Sequence, residues 1–463
     1  MYLSGSICLF VIITALGFTG CTTLNQDRFW PEVRPLGKRF NTYKPPLSPS
    51  PSSPEPEFEE PTGVLTLTQV LSLALIRNPK LKTFAFEIRA QEAKTLQATL
   101  PPNPVLEVDI ENFSGSGTAK DFNIAETTIQ LNQPILLGGK ISKRKKVAAL
   151  SAELAGWDYE ATRLDVFIQA KKAFFDVLGA QERLKLAKKL VQLASKVHKA
   201  IKVLAESGEV SPIEEKRAAI ALFQTQIQME RIKHELEAAR KRLASTWGST
   251  EALFDEVRGE LEIVWPVPSF EKLVRVSQLN PDIARWTKEK ERRRAQLVLE
   301  KANALPDITV GGGIRRLSET DDNAFVIGIT IPLPILNRNQ GGILEAQYRL
   351  IKAEEERKNA EVRVLTELAE AYQNLMSTYT EVNSLKDNII PKAQSTYDSI
   401  LEGYRQGKFS FLDVLDTQRT LFDTRLQYLK ALVEYHKAVA DIERLTGVPF
   451  ESLNPFEEKG EEK

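Results

Sequence analysis

Two aspartates three residues apart, Asp413 and Asp416, are the sharpest chemical feature of the sequence. On a helix that spacing puts both carboxylates on one face, where they can act on a cation together. The same acids also suit a first helical turn. There, negative charge favours the macrodipole, and Asp413 can close a capping box with Ser410. A second acidic feature is Glu107, Asp109 and Glu111, which alternate with Leu106, Val108 and Ile110. Alternation of this kind turns three carboxylates to one face of a strand. Arg315, in a later alternating run, offsets them in part. Polar residues on a strand can also simply face water.

Other chemistries lack their residues. His198, His234 and His436 are far apart, and none sits in a ligand cluster, so no metal site is expected. The cysteines, Cys8 and Cys21, both lie near the N-terminus, which excludes a disulfide framework and a cysteine-ligated metal in the body. Only Met1, Met229 and Met376 are methionines, so no thioether relay for soft cations is visible. No nucleophile–base set or Gly-rich phosphate loop occurs. The expectation is no enzyme and no cofactor. In 463 residues, 62 Lys plus Arg balance 62 Asp plus Glu, which argues against nucleic acid as a partner. A hydrophobic share of 42% argues against wholesale disorder.

The elements that position these residues begin with an export signal. Ile7 to Phe18 is apolar but shorter than the ~20 residues a bilayer span requires. It runs into Phe18-Thr19-Gly20-Cys21, which looks like a bacterial lipoprotein signal with lipid on Cys21. Met1 to Ser6 carry no Lys or Arg, a departure from the usual signal. A proline-rich extended tether follows, over 21–62.

The rest is a tandem duplication. Asn78-Pro79 recurs as Asn280-Pro281, Leu100-Pro101 as Leu305-Pro306, and Gln133-Pro134-Ile135-Leu136 as Leu333-Pro334-Ile335-Leu336. Glu206 to Ser211 recurs as Arg405 to Ser410, and all the offsets lie near ~200 residues. The division is signal 1–20, tether 21–62, first repeat 63–248, linker 249–268, second repeat 269–448 and charged tail 449–463. Each repeat predicts a helix, two short strands, a very long helix, a tight turn and a long helix. From about Lys140 to Ala205 there is no proline, and Val147, Leu150, Leu154, Trp157, Ala161, Leu164 and Ile168 step by three and four as a coiled-coil seam. The counterpart runs from about Leu344 to Glu402, with a kink or break expected at Pro391. Gly208 and Gly407 suit left-handed helix stops, and Ser211 and Ser410 suit N-caps whose Glu214 and Asp413 reach back.

Strand alternation recurs near Thr127 to Leu131, from Ile308 to Arg315 and from Phe325 to Ile331. In a membrane barrel, apolar faces meet lipid and polar faces line a lumen. Four strands cannot close one, since a barrel takes at least about eight, so the chain must oligomerise.

This plan resembles the TolC-type outer-membrane efflux protein family, from about Leu65 to Gly447. The most specific segment runs from Gly403 to Arg419 (Gly-Tyr-Arg-Gln-Gly-Lys-Phe-Ser-Phe-Leu-Asp-Val-Leu-Asp-Thr-Gln-Arg) and is similar to the family's second periplasmic tip. Pro332 to Gly342, with Gln133 to Lys140, looks closest to the CzcC-like branch, whose members serve heavy-metal cation exporters. The resemblance implies a mainly α fold with a small β part: long coiled-coil hairpins plus four membrane strands. Three chains would form a twelve-stranded barrel continued by a helical tunnel. It implies a homotrimer, a periplasmic adaptor, an inner-membrane pump and outer-membrane lipid as partners. The protein would be a passive exit duct in the outer membrane, extending into the periplasm.

By the same resemblance Asp413, Asp416 and Tyr404 mark the periplasmic aperture. Gly208, Ser211, Gly407 and Ser410 shape adaptor-facing tips, and Glu107, Asp109, Glu111 and Arg315 line the barrel. Phe409 departs from the basic residue of some members, and Arg217 stands where the first repeat would match Asp416. Multidrug efflux or type I secretion are alternatives to cation export. A lipid-anchored periplasmic scaffold is the alternative of another class, but a scaffold has no use for duplicated alternating strands.

Overall fold

The computed structural model of the protein describes residues 29–30, 32–46 and 59–453. The signal segment, Cys21, part of the proline-rich stretch and the end of the tail lie outside them.

The first half runs β1 (Gly63–Thr66), α1 (Leu67–Arg77), α2 (Pro79–Gln97), β2 (Val105–Glu111), β3 (Glu126–Ile135), α3 (Lys140–Glu206) and α4 (Pro212–Ser245). The second runs β4 (Phe254–Arg258), α5 (Phe270–Ser277), α6 (Pro281–Asn303), β5 (Ile308–Leu317), β6 (Asp322–Thr330), α7 (Gln340–Ser384), α8 (Ile390–Arg405) and α9 (Phe411–Thr446). The fold is mainly helical with a small β part. No helix among the described residues is long and apolar enough to cross a membrane.

Helix α3 has 67 residues and is therefore ~100 Å long. The expected seam is its inward line: Leu150, Leu154, Leu164 and Ile168 are buried. The counterpart in the second half does not break at Pro391. A π turn over Leu385–Ile389 joins α7 to α8, and the Ile390 N–H donates to the Leu385 carbonyl. One extra residue in the turn accommodates a proline that can neither donate to the ladder nor tolerate the preceding turn's carbonyl at normal spacing.

Two Asn-Pro pairs bolt the halves in the same way. Asn78 Oδ1 accepts from the Leu81 N–H at 3.1 Å and caps α2, while its Nδ2 donates to the Thr246 carbonyl at 2.8 Å. Asn280 Oδ1 accepts from the Asp282 N–H at 2.8 Å, and its Nδ2 donates to the Leu445 carbonyl at 2.9 Å and the Arg444 carbonyl at 3.2 Å. One side chain thus caps a short helix and satisfies an orphan carbonyl where a long helix ends.

The strands of the two halves pair into one antiparallel sheet, β2-β3-β5-β6, leaving β2 and β6 as edges. β3 and β6 are longer than the expected runs. β1 and β4 form a separate parallel pair that the expected plan lacked. It places a strand inside the expected linker. The described part of the proline-rich stretch is irregular, yet it is packed: Phe29 and Leu36 are buried. Arg163, fully buried on α3, pairs with Glu160 at 2.7 Å and donates to the Leu36 carbonyl at 2.8 Å. Glu160 in turn accepts from the Arg34 N–H at 2.8 Å, and the Leu36 N–H reaches the Gly447 carbonyl at 3.0 Å.

Asn280→Ala removes one cap bond and two bonds to the end of α9. The expected cost is about 1–3 kcal/mol. It is checked by the thermal midpoint of the full chain in detergent, with Asn78→Ala expected to fall alongside. Unchanged midpoints would mean that the bolts carry no load.

Candidate channel face and hairpin tips

Register decides what each face of the sheet presents. Glu107 pairs with Gln130, which pairs with Gly313. Asp109 pairs with Thr128, then Arg315, and Glu111 with Glu126, then Leu317. One face therefore carries Glu107, Asp109, Glu111 and Arg315 together, as the sequence indicated. It also carries Glu126, which strand alternation begun at Thr127 had left out. Glu107 accepts from Gln130 at 2.7 Å and from Asn132 at 2.5 Å. Arg315 pairs with Glu126 at 2.7 Å, lies 3.6 Å from Glu111, and donates to Thr128 at 2.9 Å. Asp322, opposite Leu317, adds a fifth carboxylate, and five carboxylates to one guanidinium leave this face acidic.

The opposite face is apolar over the middle of all four strands, with Thr127, Arg316 and Asn323 at its loop end. Leu106, Val108, Ile110, Ile129, Leu131 and Ile314 are exposed, and Phe325 and Ile327 are 85% and 82% exposed. An exposed apolar face this large marks a surface that meets another protein or a membrane.

At the far end, the turns form as the glycines and serines dictate. Gly208 and Gly407 take φ of 78° and 72°, and the Glu209 and Lys408 N–H groups bond the Leu204 and Gly403 carbonyls at 2.9 and 2.8 Å. These left-handed stops satisfy the orphan carbonyls of the long helices. Ser410 and Asp413 make a full capping box. The Ser410 N–H and Oγ–H donate to Asp413 Oδ2 at 2.9 and 2.7 Å, and the Asp413 N–H donates to Ser410 Oγ at 3.3 Å. The first repeat differs from expectation. Ser211 Oγ accepts from the Ile213 N–H at 3.3 Å, but Glu214 does not reach back, and Pro212 opens the helix instead.

The two tips touch. Ile201, Ala218 and Phe411 form a small buried cluster, with Tyr404, Val210 and Leu415 against it. Tyr404 lies 6.0 Å from the Phe411 ring, and burial, with Glu214 nearby, raises its phenol pKa. Phe409 folds back on Gly403 so closely that a Cβ there would meet its ring at 2.3 Å. A phenyl ring thus closes the turn. Asp416 and Arg217 both line a cleft of about 650 Å³ between the hairpins, with Arg419 and Asp423. Asp413 is not in that lining. The structure therefore gives the paired acids different surroundings: one is engaged in the cap, the other faces the cleft.

Among the described residues no group of three or more His, Cys, Asp or Glu gathers as a ligand set. His436 stacks on Phe175 at 4.1 Å and bonds the Leu261 carbonyl at 2.8 Å, and burial pushes its pKa down to about 4. His198 bonds Glu215 at 3.1 Å. Both serve packing and helix pairing.

An acidic-faced, apolar-backed sheet above long antiparallel hairpins defines a membrane channel subunit. The chain belongs to the outer membrane efflux protein family, which it matches twice, over residues 70–249 and 273–448. It is 34% identical over 388 residues to the cobalt-zinc-cadmium resistance protein CzcC of Cupriavidus metallidurans, covering 84% of this chain and 91% of that one. It is 23% identical to outer membrane protein TolC of Salmonella enteritidis, covering 80% and 79%. Its fold is similar to that of the solved CusC, with a TM-score of 0.70 at 17% identity, covering 88% of this chain and 99% of that one. The protein is an outer-membrane transport channel that extends into the periplasm, and is not an enzyme. Channels of this type are homotrimers working with a periplasmic adaptor and an inner-membrane pump.

The hydrogen bonds from Ser410 hold the Asp413 carboxyl below its usual pKa. A lowered folded-state pKa gives stability that is complete above the unfolded value and lost as pH falls through the folded one. Amide exchange at Ser410, Asp413 and Val414, whose N–H groups the box engages, is therefore expected to stay protected down to pH ~4 and to lose protection in stronger acid. In Ser410→Ala, protection is expected to be reduced at every pH. Protection insensitive to both changes would remove the cap from this role.

Proposed function

We propose that three copies of the chain close their sheets into one twelve-stranded barrel through which heavy-metal cations leave the cell. One observation carries the reading: a four-stranded sheet with an exposed apolar face, an acidic face and two open edges. In hydrocarbon each edge N–H and C=O must find a partner, and pairing β2 of one copy with β6 of the next supplies it. The apolar face then meets lipid, and Glu107, Asp109, Glu111 and Glu126 line the lumen with Arg315.

The relative named for cobalt, zinc and cadmium resistance favours divalent cations as cargo. An acidic lumen suits such cargo, since it concentrates cations without binding them in a closed cage. Its weak ligands also leave selection to the pump.

At the tips, Asp416 is exposed on the cleft and forms the acidic ring of the aperture when repeated around the axis. Asp413 adds charge but chiefly caps α9. Tyr404 seals the two hairpins in the resting state. The turns at Gly208, Ser211, Gly407 and Ser410 meet the adaptor, and Cys21 anchors the chain to lipid.

The test is single-channel recording of the purified protein in planar bilayers, with its mass in detergent. A trimeric mass and cation-selective conductance are expected. Glu107→Gln/Asp109→Asn/Glu111→Gln should lower the potassium-to-chloride permeability ratio about twofold or more. Asp416→Ala should weaken block by divalent cations while leaving that ratio nearly unchanged. A monomeric mass without conductance would overturn the barrel.

A further inference from the structure

The start of α3 carries the wrong charge for a helix N-terminus. Lys140, Lys143, Arg144, Lys145 and Lys146 crowd its first two turns, and no acid stands in the first turn. The positive end of the macrodipole disfavours each of them. Lys140 is neutralised, since its buried ammonium meets Asp307 at 2.6 Å and the Leu305 carbonyl at 2.7 Å. Lys143 donates to the Gly138 carbonyl. Among the described residues no carboxylate pairs with Arg144, Lys145 or Lys146 within 4.0 Å, and all three are exposed.

Two of these lysines line a groove against α6. Its wall holds Lys143 and Lys146 from α3 and Arg294, Ala295 and Val298 from α6, with Glu291 also in the lining. Glu291 is already paired with Lys288 at 3.1 Å. The groove lies between two helices of one protomer, away from the edge strands through which copies would join. Its side of α3 is identifiable. Lys146, Glu153 and Glu160 follow at heptad spacing on one stripe. Glu153 pairs with Lys288 at 3.0 Å, and Glu160 holds the Arg34 backbone of the N-terminal segment. Lys146 therefore shares the stripe that carries that segment, on a different side of α3 from the cleft lined by Arg144, Asp158 and Arg285.

We infer that this groove binds the anionic headgroup of a phospholipid in the periplasmic leaflet of the outer membrane. The inference rests on the barrel reading above, because that reading sets the depth. Lys143 lies ~5 Å and Lys146 ~9 Å along the helix from its start at the sheet. The polar region of a bilayer leaflet is about 5–8 Å thick. Both ammonium groups, on flexible stems, reach it. Val298, 49% exposed and nearer the sheet than Arg294, offers an apolar rim toward the acyl chains. A phosphodiester here supplies the charge that the helix start lacks. It also fixes the height of the barrel in the membrane.

The test uses the full-length protein in detergent with equimolar phosphatidylcholine and phosphatidylglycerol, followed by washing and quantification of retained lipid by native mass spectrometry. The wild type should retain phosphatidylglycerol preferentially. Lys143→Gln/Lys146→Gln/Arg294→Gln should retain it at least about tenfold less, since each basic group at an anionic surface is worth roughly a fivefold change in partition. Lys199→Gln/Lys216→Gln/Lys241→Gln, an equal charge change on the lower hairpin, should retain it unchanged. Inorganic phosphate at millimolar level should not displace the lipid. Displacement by phosphate would replace the lipid with a free anion and overturn the proposal. Equal retention by all three proteins would overturn it too. Insertion into phosphatidylcholine vesicles separates the two readings: a protein that inserts but shows no lipid preference loses only the lipid site, whereas one that fails to insert loses the barrel as well.

Discussion

An open sheet cannot sit in hydrocarbon, because each unpaired backbone N–H or C=O there costs several kcal/mol. That constraint governs the molecule. The sheet β2-β3-β5-β6 has two bare edges and a face of exposed Leu, Ile, Val and Phe. The apolar face is unfavourable in water, and the edges, whose groups water can satisfy, are not tolerable in lipid. Closure with further copies removes both problems at once. The strand pairs of the two repeats must then enter the sheet at one level. The bonds at the sheet's lower margin do this, where Lys140 of the first half grips Asp307 of the second and the Leu137 N–H donates to the same carboxylate at 3.0 Å.

Much of this was legible from periodicity. Strand alternation gave both faces, the seam of α3 gave its buried line, and the Gly and Ser positions gave both turns. These signals are local: each depends on residues within one or two turns of each other. What escaped depends on contacts across the chain. Gly63 pairs with Phe254, and no pattern in either segment announces a parallel partner so far away. Arg163 looks like one more charge on a long helix until Glu160 and the Leu36 carbonyl enclose it. Such a buried pair is costly to desolvate, and the backbone bonds around it offset that cost. The Asn-Pro pairs were legible as repeats but not as bolts, since their second partners lie at the far ends of the long helices. At Pro391 the expected kink or break takes the form of a π turn just before it. The rule that proline breaks a helix is correct for α spacing, and a π turn changes the spacing.

The two halves share one plan, apart from the π turn of the second, and they differ in chemistry at the tips. Both hairpins turn with a left-handed glycine and a serine cap. Only the second adds a carboxylate to the box, so Ser410 and Asp413 fix the start of α9 more firmly than Ser211 and Pro212 fix α4. Only the second carries Asp416, and Arg217 faces the same cleft from the first. The cleft thus faces a carboxylate of the second hairpin with a guanidinium of the first. The acids of the sheet stand on paired strands, whereas Asp416 stands on a helix whose start is fixed by the capping box at Asp413. In the proposed channel, passage and gating therefore rest on different elements.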